Sequence, residues 1–533
     1  MWAHRAKNLP MAVLAFEEAL AIKPRDSWLL HTLLWLYGEL QCWEKLIETL
    51  RAVADVHADP AAKAKSVYAM AMVVRDHMGD LRRTATLLEE VLDLDATRLD
   101  AFERVVRVHT ELRDWMELKH AYGRMLRRLK TDGDVDLKHA LFFQLGIIYR
   151  DRLGDAARAL DSFRAAQRLK PDAVDVRKGM TELLIVTDQL DDAVSMVRAA
   201  LKKDPQDIAL YNELYDLFLR KRAFDRAWCA VDALVTLGSR LDAEKSRFYG
   251  DYPAPSLSKI PGTLTAGAWR SHILHAELDP ALTAIFALVT PAVLRARVAL
   301  VPFQALRASL GEPLRSNGAL AHEILRAVGD ASEILNFSTP SLHARKGTTP
   351  LSLAPAKNAM FVSLEACEAL PTDALAFVVG KKMSEMRPEL SARAACPSVS
   401  ELKALVHLAV QLAEPSLAMP STGNPAFDRA LAQSISREEK AGLRAAIGAA
   451  KAQGSELDVS RWSQLAEISS ARVGLLLSGR IEASKRGMHG DPRLPGDLSP
   501  KDKLSELLVF SVSEEYAELR AAIGVAVEGS AAA

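Results

Sequence analysis

The chain has 533 residues and balances 68 Lys+Arg against 68 Asp+Glu, for a formal net charge of +0 and a pI near 7.2. That balance gives no electrostatic reason to expect nucleic acid or an anionic membrane surface as the main partner. Hydrophobic residues make up 49%, the length suggests two to four units at about 100 to 200 residues each, and the four dispersed cysteines (Cys42, Cys229, Cys367, Cys396) form no C-x-x-C pair, as in a reduced, cytoplasmic protein.

From the N-terminus, MWAHRAKNLPMAVLAF shows no apolar run followed by a small-residue cleavage site, so no secretory signal is expected. A 34-residue period then governs the first half. Its fullest copy places Phe142, Leu145, Gly146 and Tyr149 on one helix, then Ala159, Phe163, Ala166 and Pro171 on the next. Ala193, Val197, Ala200 and Pro205 repeat the second pattern 34 residues on. Ala227, Val231 and Leu234 repeat it again, behind Tyr211, Leu214 and Phe218. Working backwards, the equivalents of Ala159 are Leu118, Thr84, Leu46 and Ala12, with successive steps from Ala12 of 34, 38, 34, 41, 34 and 34. The two long steps read as insertions at helix-helix turns.

This period and residue pattern resemble the tetratricopeptide repeat family, in seven copies over residues 1 to about 238. The resemblance implies a helix-pair solenoid over residues 1–240. The first copy keeps a second helix (Ala12, Phe16, Ala19, Pro24), but its first helix is missing or vestigial. A solenoid end needs a cover, so more repeats, a partner or a second copy of the chain is expected there.

In the family the concave face is lined by the second, fifth, ninth, twelfth and thirteenth positions of the first helix, helix A. Here these include Arg107, Arg150, Lys178, Glu182, Asn212, Asp216 and Arg220. Arg107, Arg150, Lys178, Asn212 and Arg220 are the candidate contacts to a protein or peptide partner. Lys178 and Asn212 resemble part of the family's clamp on a C-terminal carboxylate, but Glu182 and Asp216 stand behind them and the clamp is not reproduced. The cluster Arg124, Arg127, Arg128 and Lys130 reads as a solvated helix end.

Residues 241–265 read as a Pro/Gly-rich linker or strap, with Phe248, Tyr249 and Tyr252 laid along the next domain. Residues 266–528 read as a mostly helical α+β domain and 529–533 as a disordered tail. Helices are expected at 281–294, 302–310, 319–328, 399–413, 426–452, 461–486 and 505–525, and short strands at 333–337, 351–354 and 359–363. The run Ala281 to Leu294 is 14 residues and contains Pro291, short of the roughly 20 needed for a membrane span. Neither His322-Glu323, with Arg326 in place of a second ligand, nor His272 and His275 complete a zinc site.

The stretch TDALAFVVGKKMSEMRPE (372–389) organises this half. Leu375, Val378, Val379, Met383 and Met386 recur at helical spacing, between Pro371 and Pro388. With the preceding strand Met360 to Ser363, and with Glu467, Arg472 and Gly474 later, the order resembles the CaaX-prenyl-protease-type zinc metallopeptidases over roughly residues 335–485. In that family the helix carries H-E-x-x-H, two His holding zinc and a Glu acting as base on its water. Here Lys381, Lys382 and Glu385 stand in those places, the third-ligand Glu survives as Glu467, and a family Asp becomes Ala471.

The resemblance therefore implies a peptidase-like domain that has lost its metal, with no catalytic residue and no cofactor. It places the Lys381 ammonium between Glu467 and Glu385, where zinc would be, and Lys382 at the cleft mouth or in solvent. The chain reads as a non-enzymatic interaction scaffold: repeats that bind a polypeptide, followed by an inactive metallopeptidase-like domain. An active hydrolase with a non-standard site and a purely structural repeat protein with an unrelated helical domain are the alternatives.

Overall fold

The computed structural model describes residues 8–129, 134–355, 358–414, 424–454, 456–489 and 496–527. Lys130 and the 529–533 tail lie outside the described residues. The chain divides into two compact units, 1–196 and 197–533.

The first unit is a run of antiparallel helix pairs. Its helices start largely at aspartates: Asp26, Asp59, Asp80, Asp114, Asp134 and Asp155 each accept a hydrogen bond from a backbone N–H of the first turn, a cap worth about 1 kcal/mol. The equivalent residues of the period are interior. Ala159 and Ala193 are fully buried, and Phe163 sits against Gly146 and Gly179, where an added Cβ would lie 2.6 and 3.1 Å from its ring. Small residues at these places let the helices close on one another.

The turns come in two forms. Where helix A has 13 residues (Ser27–Glu39, Leu99–Glu111, Val174–Val186), the chain reverses through a left-handed residue that is not glycine: Gln41, Arg113 or Asp188, with φ between 54° and 57°. In each, an N–H reaches five residues back, as from Cys42 to the Tyr37 carbonyl. In the two longer repeats, helix A runs on through a π-helical turn, from Pro60–Val73 into Val74–Met78 and from Val135–Ile148 into Tyr149–Leu153. The left-handed residue is then Gly79 or Gly154. The long steps are therefore not simple insertions at the turns, because most of the added residues lengthen helix A.

The two π-turns are copies of each other, V-R-D-H-M-G-D at 74–80 and Y-R-D-R-L-G-D at 149–155. His77 of the first stacks on Trp43 at 3.9 Å, and Arg152 of the second lies over Trp115 at 4.7 Å. Trp43 and Trp115 each open the second helix, helix B, of the preceding repeat.

In the second unit the pair Ile208–Arg220 and Phe224–Thr236, read with the repeats from sequence, packs with the C-terminal region. Arg520, 1% exposed, reaches both oxygens of Asp225 and lies over Trp228 and Tyr516. Asp232 accepts from Tyr249 Oη at 2.6 Å and from the Ile481 N–H at 2.8 Å. Part of the expected linker is a helix, Ala243–Asp251, whose Phe248 and Tyr249 pack on Tyr215 and Trp228. The strap beyond it passes so close to residues 522 and 523 that a Cβ on Gly262 would lie 2.6 Å from their backbone.

The three-stranded sheet has the order β1-β3-β2, with β1 Ser341–Ala344 parallel and β2 Leu351–Leu353 antiparallel to β3 Ala359–Val362. No strand forms at 333–337, because helix Ala319–Ile334 runs into it and ends in a turn with Asn336 left-handed. Three expected long helices are each two: Ser436 opens a new helix with a capping box to Glu439, Gly479 at φ 67° ends Val459–Ser478, and Ser513 caps Glu514–Ala522. Helix Thr372–Ser384 follows β3 after a short helix, Leu364–Glu368, and lies at the centre of this unit. It packs along Val459–Ser478 and touches Ile481–Met488, Ala319–Ile334 and β2. Gly380, Gly474 and Gly487 make that packing possible: a Cβ on Gly474 would lie 2.6 Å from the Phe377 ring and one on Gly487 2.5 Å from it.

Helix Pro280–Ala299 is long and apolar enough to cross a membrane by length and composition, and just over half of its most apolar 18-residue stretch is buried among its neighbours.

Candidate functional site

On the first unit, the helix A positions hold a mixture of committed and free side chains. Arg107 and Lys178 are exposed. Arg150, in the second π-turn, donates to Asp151 at 2.7 Å and to Glu182 at 2.6 Å, so its charge is already matched. The largest exposed apolar groups lie elsewhere on this face: Trp28 and Trp35, 67% and 45% exposed, hold the second and ninth positions of the first complete repeat. Phe16 meets the Trp28 ring edge-on at 5.7 Å. Counting 19 residues back from Leu46 gives this register, so the period already contained the two tryptophans. In the second unit Arg220 is exposed and the Asn212 amide turns back to the Ile208 carbonyl at 3.0 Å.

The outer, helix B side carries ion pairs between successive repeats. Lys45 meets Glu17, Arg83 meets Glu44, Arg51 holds Glu90 through both oxygens, Arg124 meets Glu89, and Arg128 meets Glu89 and Asp93. Arg124 and Arg128 are thus neutralised within the fold.

The second unit buries its charge. Glu467, 3% exposed on the Val459–Ser478 helix, faces three cations. Lys503 Nζ lies 2.5 Å and Lys381 Nζ 3.4 Å from Oε1, and Arg393 Nη2 lies 3.0 Å from Oε2, an ion contact without hydrogen-bond alignment. Arg393 also clamps Asp497, Nη1 to Oδ1 at 2.8 Å and Nη2 to Oδ2 at 3.0 Å. Burial pulls the Arg393 guanidinium down, but Asp497 and Glu467 outweigh it and hold its pKa above the ordinary value. Sequence reasoning placed Lys381 beside Glu467 but missed Arg393, Lys503 and Asp497, which come from separate segments.

Lys382 does not point to solvent. Its side chain is 12% exposed and its Nζ sits 3.1 Å from both oxygens of Glu385, so Lys382 pairs with Glu385.

A zinc ion does not fit these side chains. Ammonium groups offer a metal no lone pair, the Glu467 oxygens are already turned to three cations, and among the described residues no three His, Cys, Asp or Glu side chains converge. Arg472 lies over Phe510, and burial lowers its pKa to about 10.

Residues 152–216 match the family model described as tetratricopeptide repeat. That stretch carries tetratricopeptide repeats. Among solved structures the chain is similar to YrrB, described as a TPR protein with an unusual peptide-binding site, at 19% identity over 35% of this chain and 92% of that one, with a TM-score of 0.25. It is also similar to the C-terminal part of a TPR repeat-containing protein from Cytophaga hutchinsonii (14%, 46% and 95%, TM-score 0.26). The TPR2AB domain of yeast Sti1, solved as a complex with pHSP90, is a third (18%, 46% and 93%, TM-score 0.20). These are likenesses of fold alone. No curated protein matches the sequence significantly.

Proposed function

We propose that this protein is a non-enzymatic scaffold whose repeats bind a polypeptide through the helix A face. The observation that carries this reading is the exposure of Trp28 and Trp35 two turns apart on one helix of that face. Large aromatics are costly to leave in water and are the residues most often found at the energetic centre of protein interfaces. Arg107 and Lys178 supply exposed charge on the same kind of position. Asn212 and Arg220 are the weaker candidates, Asn212 because its amide is spent on its own helix.

The second unit, in this reading, keeps the frame of a zinc-peptidase core and has replaced the metal by a cluster of lysines and an arginine around Glu467. Support comes from the order of β3 and the 372–384 helix, the packing of that helix beside β2 and against the helix bearing Glu467, and the approach of Lys381 to that carboxylate. A cytoplasmic location is part of the reading and rests on the thiols. Cys229, Cys367 and Cys396 are buried and unpaired, and burial raises the Cys367 thiol to about 11.

The test is capture of a polypeptide by the full chain, with cross-links mapped by mass spectrometry. Cross-links along the helix A face, and loss of capture with Trp28→Ala/Trp35→Ala but not with Arg127→Ala on the outer side, support the reading. Capture indifferent to both tryptophans overturns it.

A further inference from the structure

The two π-turn modules are related by a constant offset of 75 residues, which aligns Arg75 with Arg150, Asp76 with Asp151, Gly79 with Gly154, and the ninth helix A position of the following repeat, Arg107, with Glu182. The π-helical turns themselves occupy Val74–Met78 and Tyr149–Leu153, the same register. Asp80 and Asp155 cap the following helices in the same way, accepting from the N–H of Arg83 and Arg158.

In the second module the place is closed: Arg150 and Glu182 form an ion pair at 2.6 Å. In the first, arginines hold both of the corresponding positions. Arg75 is half-buried and Arg107 exposed, and among the described residues neither has an ion pair or a hydrogen bond from its side chain. Like charges brought to a place that a sister module fills with opposite ones leave an unmet demand for an anion. A guanidinium pair meets carboxylates with charge-assisted, often bidentate bonds.

We infer that Arg75 and Arg107 form an anion-binding site for an acidic segment of a polypeptide, whose carboxylate takes the place that Glu182 fills in the second module. The inference rests on the scaffold reading and specifies the chemistry of the partner. Carboxylate is favoured over other anions because the molecule's own solution to the same geometry is a glutamate.

The probe is N-acetyl-hexaglutamate amide, titrated calorimetrically into the full chain at low ionic strength, with the hexaglutamine analogue and inorganic phosphate as controls. One peptide should bind per chain. Arg107→Glu, which recreates the closed pair, and Arg75→Ala should each weaken binding by about tenfold or more, as loss of a charge-assisted contact implies. Both positions are at or near the surface, and circular dichroism checks that each variant remains folded. Glu182→Arg should open the second module and raise the stoichiometry to two, with the new site lost again on Arg150→Ala.

No binding of hexaglutamate, equal binding by Arg107→Glu, or phosphate binding as tight and as dependent on Arg107 would each overturn the inference. Capture of a polypeptide that survives both arginine substitutions would sink it while leaving the scaffold reading intact; failure of capture with the tryptophan variants and wild type alike would sink that reading.

Discussion

In the repeat array, ion pairs such as Lys45–Glu17, Arg83–Glu44 and Arg128–Asp93 lie on helix surfaces, whereas in the second unit Glu467 and Asp497 meet Lys381, Arg393 and Lys503 below the surface. The same interaction has different consequences in the two places. Exposed pairs contribute roughly 0 to 1 kcal/mol each, so the array's stability resides in its apolar crossings, repeated and nearly independent of one another. A buried carboxylate with three cations is a point on which a whole core depends, because removing it takes from all three cations a shared buried partner.

The largest effect should come from Glu467→Ala. It leaves three buried cations facing a void and should cost about 3 to 5 kcal/mol. Hydrogen exchange should show lost protection along Thr372–Ser384 and Val459–Ser478 with little change over residues 60–128. Uniform loss of protection across both units would show that the two do not differ in this way.

Next in size is overpacking in the array. Ala159→Leu forces a larger side chain into a fully buried crossing and should cost roughly 1 to 3 kcal/mol. The damage should be confined to neighbouring repeats, as limited proteolysis would show by new cleavage near residues 135–186 alone.

Smaller, and of opposite sign, is the effect of the left-handed turn residues. Gln41 and Arg113 adopt φ 55° and 54°, a conformation that costs a side chain on the order of 1 kcal/mol and glycine nothing. Gln41→Gly and Arg113→Gly should each stabilise the array by up to about 0.5 to 1 kcal/mol in urea unfolding, because the gain is partly offset by the greater freedom of glycine in the unfolded chain. Loss of stability would show that these side chains make contacts of their own.

The smallest effect is pH-dependent. Burial lowers the pKa of His109, against the opposing pull of Glu117, Asp114 and Glu89. A histidine depressed in the folded state contributes fully above its unfolded value of about 6.5 and loses that contribution as pH falls through the folded value. Relative to His109→Gln, the wild type should therefore lose thermal stability as pH drops below about 6.5, and a constant difference in Tm across that range would refute the assignment.

The period was readable because Ala159, Ala193 and Ala227 must all be small for helices to cross, and each is fully buried. Helix lengths were less readable: nothing in a hydrophobic count distinguishes a longer turn from a π-helical extension, although the repeated R-D-x-x-G-D at 75–80 and 150–155 marks both. That same repeat would have singled out Arg75. Lys381 and Glu467 could be paired from the spacing of a resembling family, whereas Arg393, Lys503 and Asp497 reach the cluster through tertiary folding that leaves no periodic trace. Residues 333–337, with Ile334, Leu335 and Phe337, have the composition of a strand, but the helix before them continues and ends at Asn336 instead.

The central contrast is between an array whose charge lies on its surface and a core that, in the proposed reading, holds buried charge in place of a metal. Its most direct test is the zinc content of the untagged full chain, produced with zinc in excess, dialysed, and measured by elemental analysis beside Glu467→Ala. Far less than one zinc per chain is expected in the wild type, with no difference in the variant. One zinc per chain, retained through dialysis and lost with Glu467→Ala, would contradict that expectation.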